Sequence, residues 1–195
     1  TIDGGDGADV LSGGAGNDRI FGGHGIDQID LGTGNDILDL ATGWTVTDYL
    51  DANRDVVKGF NAGKGGDTIE VVDLNGVGAA QFETANATFA ANHKIDTGAG
   101  VNVFEFEADL TGVNVLDDGD LLNAIVGGNQ LQVTNFGDDV YIVAYANGNA
   151  YLFYADSDNT GVPADLQISA GEIHTLAIIE NVAVGALTEA NFALV

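Results

Sequence analysis

The chain has 195 residues, 30 of them acidic and only 5 basic, so its formal net charge is −25, yet 45% of it is apolar. The apolar share excludes a disordered acidic tail, and the charge excludes nucleic acid and anionic membrane surfaces as partners, because their phosphates need Lys and Arg. A hard divalent cation, held by carboxylate oxygens, is the counterion such a chain calls for.

The first predicted elements repeat. Units of nine read "GGDGADVLS" from Gly4, "GGAGNDRIF" from Gly13, "GGHGIDQID" from Gly22 and "LGTGNDILD" from Leu31, after an opening "TID". Position six is always aspartate: Asp9, Asp18, Asp27 and Asp36. Position eight is always aliphatic: Ile2, Leu11, Ile20, Ile29 and Leu38. Glycine adopts φ > 0 without a Cβ clash, as a tight turn requires, and lets carbonyls approach a cation. The three residues after each aspartate suit a short strand with its middle side chain pointing inward. The period therefore predicts turn, strand, turn, strand, stacked into a parallel solenoid filled by the position-eight side chains. Each buried Leu or Ile contributes about 1.5–3 kcal/mol. Five of them do not offset the ordering of so many glycines, so the aspartates must hold something that does. A flexible linker would keep the composition and lose the register. A dinucleotide loop would need a long helix after its glycines, and carboxylates would repel the phosphate.

The pattern resembles the repeats-in-toxin (RTX) family, whose calcium nonapeptide reads GGxGxDxUx. The resemblance covers residues 1–39 and implies a parallel β-roll with calcium between turns on the same side, two repeats apart. It implies two or more ions: Asp9 and Asp27 would share one, Asp18 and Asp36 another. Backbone carbonyls at Gly4, Asp6, Gly13, Ala15, Gly22 and His24 would complete the shells. Leu31 in place of glycine, and the loss of the motif after Asp39, imply imperfect last turns.

One further unit, "AGKGGDTIE" from Ala62, keeps the glycines, with Asp67 at position six and Ile69 at position eight. Asp67 is a candidate ligand, and a plain polar turn before a strand is the alternative. "RDVVKGF" before the unit and "VVDL" after it read as strands, and a flank of this kind closes the roll in RTX proteins that resemble this chain. Residues 40–55, with Trp44 and Tyr49, read as an irregular or helical connection. Residues 1–74 are thus expected to form a roll with its closing flank, and 75–195 a β-rich cap.

In the cap, Phe82, Ala85 and Phe89 recur at helical spacing, which predicts a short amphipathic helix within residues 79–93. "VNVFEFEADL" alternates as a strand does. "DDGDLLNAIVGG" carries acids at its start and glycines at its end, as a capped helix does. "VYIVAYA" and "AYLFYA" flank Asn147 and Gly148, a hairpin signal. "EIHTLAIIENVAV" and "NFALV" add two apolar strands. The expected fold class is all-β: a parallel β-roll of calcium-binding nonapeptides followed by a mainly antiparallel β-sheet cap with short helices. "DSDNTG", residues 156–161, opens like an EF-hand loop, but Gln167 stands where a bidentate Glu is needed, so a polar turn is the better reading.

No cysteine is present, so neither a disulfide framework nor a thiolate metal site is expected. No N-terminal signal peptide and no bilayer-spanning apolar run are seen. Thr1 falls inside a repeat, so the chain reads as part of a longer protein. The acidic-then-apolar ending "LTEANFALV" resembles the uncleaved signal of proteins exported by type I machinery. That resemblance implies the secretion machinery as partner and a bacterial extracellular or cell-surface location. His24, His93 and His174 belong to no HExxH motif, and there is no GxSxG elbow, so no catalysis is expected in this segment. The reading is a calcium-dependent folding and export module. One alternative is a surface-layer or adhesin domain binding itself or cell-surface glycan, which an exposed aromatic edge around residues 141–154 would favour. Another is the accessory domain of a secreted protease or lipase whose active site lies upstream.

Overall fold

The computed structural model describes residues 1–42, 54–74, 76, 78–89, 91–134, 139–156 and 167–195. Seven short strands build the roll: β1 (Ile2–Asp3), β2 (Val10–Ser12), β3 (Arg19–Phe21), β4 (Gln28–Asp30), β5 (Ile37–Asp39), β6 (Asp55–Lys58) and β7 (Thr68–Val71). Odd and even strands fall on opposite walls. β1, β3, β5 and β7 pair in parallel on one, and β2, β4 and β6 on the other. Register steps by one full turn: Ile2 lies beside Ile20, and Leu11 beside Ile29. The position-eight residues Ile20, Ile29 and Leu38 are fully buried between the walls.

Glycine serves two purposes in each turn. Positions two and four take positive φ, as at Gly14 (82°) and Gly16 (113°), a region that costs any residue with a Cβ. Position one needs space instead. A Cβ on Gly13 would lie 2.4 Å from the Leu31 carbonyl oxygen of the next turn. Leu31 itself departs from the motif because its side chain enters the core, where it is fully buried.

The roll does not end at Asp39. β6 pairs with β4 and β7 with β5 in the same parallel sense, so two more strands continue the walls beyond the matched motif. The connection expected over residues 40–55, with Trp44 and Tyr49, lies outside the described residues from 43 to 53.

The remaining strands are β8 (Phe82–Ala85), β9 (His93–Ile95), β10 (Val103–Asp109), β11 (Leu131–Val133), β12 (Val140–Ala146), β13 (Asn149–Ala155), β14 (Gln167–Ile168), β15 (Ile173–Ile179) and β16 (Phe192–Leu194). Among the described residues one α-helix, α1 (Asp118–Val126), is capped by the Asp117 side chain and ends at left-handed Gly127, as its acid-to-glycine pattern predicted. The β12–β13 hairpin turns at Asn147 and Gly148, both with positive φ. β15 continues the even wall beside β6, and β16 continues the odd wall beside β7.

Two expectations are corrected. Residues 82–85 form strand β8 rather than a helix, because the Phe82–Ala85 segment pairs with β10 and this tertiary pairing overrides the weak helical spacing. The cap sheet is also mixed. β12, β13 and β15 run antiparallel, but β8, β10 and β12 are mutually parallel. Between β10 and β12 the chain crosses over through α1 and β11, the connection that parallel neighbours require.

Two cores share the long sheet. Tyr141, Val143, Tyr145, Leu152 and Tyr154 join Ile20, Ile29 and Leu38 of the roll. The alternate residues Ile142, Ala144, Phe153 and Ala155 pack with Leu121 and Ile125 of α1. Both faces of β12 and β13 are covered, so both strands read as unbroken apolar runs. It follows that 141–154 is no exposed aromatic edge: Tyr141 is 1% and Tyr154 3% exposed.

Candidate metal centre

The aspartates form two ladders along the roll. In the first, Asp9 N donates to Asp27 Oδ1 (2.8 Å) and Asp27 N to Asp55 Oδ1 (3.0 Å). In the second, Asp18 N donates to Asp36 Oδ1 (2.8 Å) and Asp36 N to Asp67 Oδ1 (2.8 Å). The carboxylates of Asp27, Asp55, Asp36 and Asp67 thus each use Oδ1 to tie their turn to the turn before. The hydrogen-bonded pairs Asp9/Asp27 and Asp18/Asp36 lie two repeats apart. Asp55 is the residue that sequence reasoning missed. "RDVVK" lacks the glycines of the unit, yet it holds the same aspartate-x-aliphatic core, with Val57 fully buried.

The second oxygens decide what the site can hold. Asp9 Oδ2, Asp27 Oδ2 and Asp36 Oδ2 are buried and have no hydrogen-bond partner. A buried charged oxygen without a partner is strongly unfavourable, so these atoms fit a cation. Carbonyls converge on the same spaces. A Cβ built on Gly4 would lie 2.3 Å from Gly22 O and 3.0 Å from Asp9 Oδ2. On Gly13 it would meet Leu31 O and, at 3.2 Å, Asp18 Oδ2. The position-one glycines leave cradles where a carbonyl and a carboxylate face one another. Among the described residues no three His, Asp or Glu side chains cluster as a metal site. The oxygens at these cradles are carboxylate and backbone carbonyl, a combination that fits a hard cation.

Electrostatics agree. Burial pushes the Asp55 carboxyl up to about 7, and the nearby Asp27 charge adds to it against the hydrogen bond from Asp27 N. Burial also raises Asp27. Neither carboxylate has an ion-pair partner among the described residues.

Other expected residues have other surroundings. Asp6 pairs with His24, and Ala15 with Thr33, as single β-bridges between turns. Gly7 N donates to His24 O (2.8 Å), so His24 contributes its backbone to the turn and its residue is exposed. Both oxygens of Asp67 accept backbone N–H groups, from Asp36 and from Asn61 (2.7 Å). Outside the ladders, Arg19 bridges Asp39 (2.7 Å) and Glu70 (2.5 Å) across the odd wall. His93 lies in β9 rather than at a helix end; it stacks on Phe89 and bonds to Glu83. His174 lies in β15 beside Tyr154, and burial lowers its pKa. Asp156 is described, but the rest of the "DSDNTG" turn lies outside the described residues. No helix among the described residues is long and apolar enough to cross a membrane.

Residues 3–38 match the family model of the RTX calcium-binding nonapeptide repeat, in four copies. No curated protein and no solved structure matches the chain. The buried, unpartnered oxygens of Asp9, Asp27 and Asp36 and the cradles at Gly4 and Gly13 fall inside that matched segment: over residues 3–38 the chain carries four RTX calcium-binding nonapeptide repeats.

Proposed function

We propose that this RTX domain makes the folding of the chain depend on calcium, and that it serves a larger protein exported by type I machinery to the outside of a bacterial cell. The observation that carries the reading is the buried, unpartnered Oδ2 of Asp9, Asp27 and Asp36. Asp9, Asp18, Asp27 and Asp36 would hold the ions, with carbonyls at Gly4, Asp6, Gly13, Ala15, Gly22 and His24. Asp67 closes the second ladder; its carboxylate already accepts two N–H groups, so we assign it to the turn rather than to the metal. Bound calcium supplies the positive charge that the ladders lack. Without that charge the stacked carboxylates repel one another, and the thin interior of the roll does not hold the turns together. Binding to the folded state alone adds about 2.7 kcal/mol per site at a hundredfold excess over Kd. An open chain inside the cell suits passage through a narrow channel, and folding outside opposes return.

Calcium titration followed by circular dichroism tests this. The native chain should gain strand signal as calcium rises. Asp18→Ala combined with Asp27→Ala, one from each ladder, should abolish the response. An unchanged response in the double variant would overturn the ligand assignment.

A further inference from the structure

The first ladder runs past the matched repeats. Asp27 Oδ2 is buried without a partner, and Asp27 as a whole is fully buried. It faces the space over the Gly22 Cα. A Cβ built there would lie 2.5 Å from Asp27 Oδ2 and 2.9 Å from Asp55 Oδ2. Two carboxylate oxygens from different turns therefore converge where a side chain is missing. Gly4 and Gly13 open onto one carboxylate and one carbonyl each. Asp55 is 6% exposed. It lies 28 residues from Asp27 along the chain, where the repeat spacing is 18, so the pair spans the insertion that contains residues 43–53. On its other side Asp55 is in register with Ala177 of β15.

We propose that Asp27, inside the matched repeats, and Asp55, beyond them, hold a further divalent cation between them, and that this site fastens the cap to the roll. This rests on the calcium reading above. Its consequence is specific. β6 is the strand through which the even wall reaches β15, so an ion between Asp27 and Asp55 ties β4 to the strand that carries the cap. Without a cation there, two buried carboxylates oppose the docking of β6 and, through it, of β15. Calcium would then order the C-terminal half of the chain as well as the repeats.

The test uses the whole chain and counts bound calcium by equilibrium dialysis, with amide hydrogen exchange in parallel. Asp55→Asn keeps an oxygen for Asp27 N and offers an amide to Asp27 Oδ2, so the turn remains satisfied. It should bind one ion fewer than the native chain. In the native chain, exchange at Ile173–Ile179 should slow with calcium; in Asp55→Asn it should no longer respond, while Arg19–Phe21 still does. Gly22→Ala keeps both carboxylates and fills the space between them; it too should lose one ion. Should Gly22→Ala not fold, the ion count of Asp55→Asn decides. An unchanged count in Asp55→Asn, or a β15 response as large as in the native chain, would overturn the site. Asp18→Asn separates the two readings. If it loses an ion and Asp55→Asn does not, the repeat sites stand and this one falls. If neither loses an ion, the calcium reading itself fails.

Discussion

Asn191 is the side chain on which the closure of the odd wall depends. It is fully buried and lies just before β16. Its Oδ1 accepts from Gly63 N (2.9 Å), and its Nδ2 donates to Gly63 O (3.2 Å) and Asp67 O (2.8 Å). One amide thus links the C-terminal strand to the last glycine turn, 128 residues away. Asn191→Ala takes the partner from Gly63 N, Asp67 O and Thr188 N, while Gly63 O keeps its bond from Gly66 N; of these, Asp67 O belongs to a buried residue. Each stranded buried group costs about 1–3 kcal/mol, but Gly63 is half-buried and water reaches it in part. The expected loss is therefore about 2–4 kcal/mol. Urea unfolding at saturating calcium measures it, as a lower midpoint at unchanged slope. Asn191→Asp should be no better, because the group facing the two carbonyls must donate and a carboxylate only accepts. A loss below about 1 kcal/mol in the alanine variant, or full rescue by aspartate, would refute the role given to this clamp.

Leu31→Gly restores the repeat's own glycine, yet it should destabilise the chain by about 2–5 kcal/mol, because it empties a fully buried position; thermal or urea unfolding checks this. Glu105 is buried beneath Tyr145, whose hydroxyl donates to it. Burial first, and the Glu107 charge after it, raise the Glu105 carboxyl from 4.5 to about 7 against the hydrogen bond from Tyr145. The folded chain therefore holds this proton more tightly than the unfolded chain, and stability is lost as pH rises from about 4.5 to about 7. Glu105→Gln, which keeps the acceptor for Tyr145, should be more stable than the native chain by about 1–3 kcal/mol above pH 7. The advantage should vanish at pH 4, as paired urea curves at fixed calcium would show.

The roll was legible because its period is written in single residues. Aspartate at position six, aliphatic at eight and glycine at two and four each answer a local demand that every turn repeats. Asp55 escaped because its turn lost the glycines and kept only the aspartate and Val57; the register of β6 on β4 supplies what the motif does not. Phe82, Ala85 and Phe89 misled for a related reason. Their spacing fits a helix, but the segment's partner is β10, and no local pattern encodes a pairing that distant. The hairpin and α1 were readable from their ends, Asn147 with Gly148 and Asp117 with Gly127. Strand order in the cap was not, because it follows from a crossover through α1 and β11 rather than from any strand's own sequence. Asn191 gave no signal at all: a lone polar residue before an apolar ending looks like surface until its partners are known.

The claim beneath all of this is that neighbouring turns are held in register by cations between their carboxylates. Hydrogen exchange at the amides of Asp9, Asp18 and Asp36, each of which donates to an aspartate of the next turn, reads that claim directly. The account predicts slow exchange at all three in calcium and rapid exchange once the calcium is chelated. Equal protection in both conditions would contradict it.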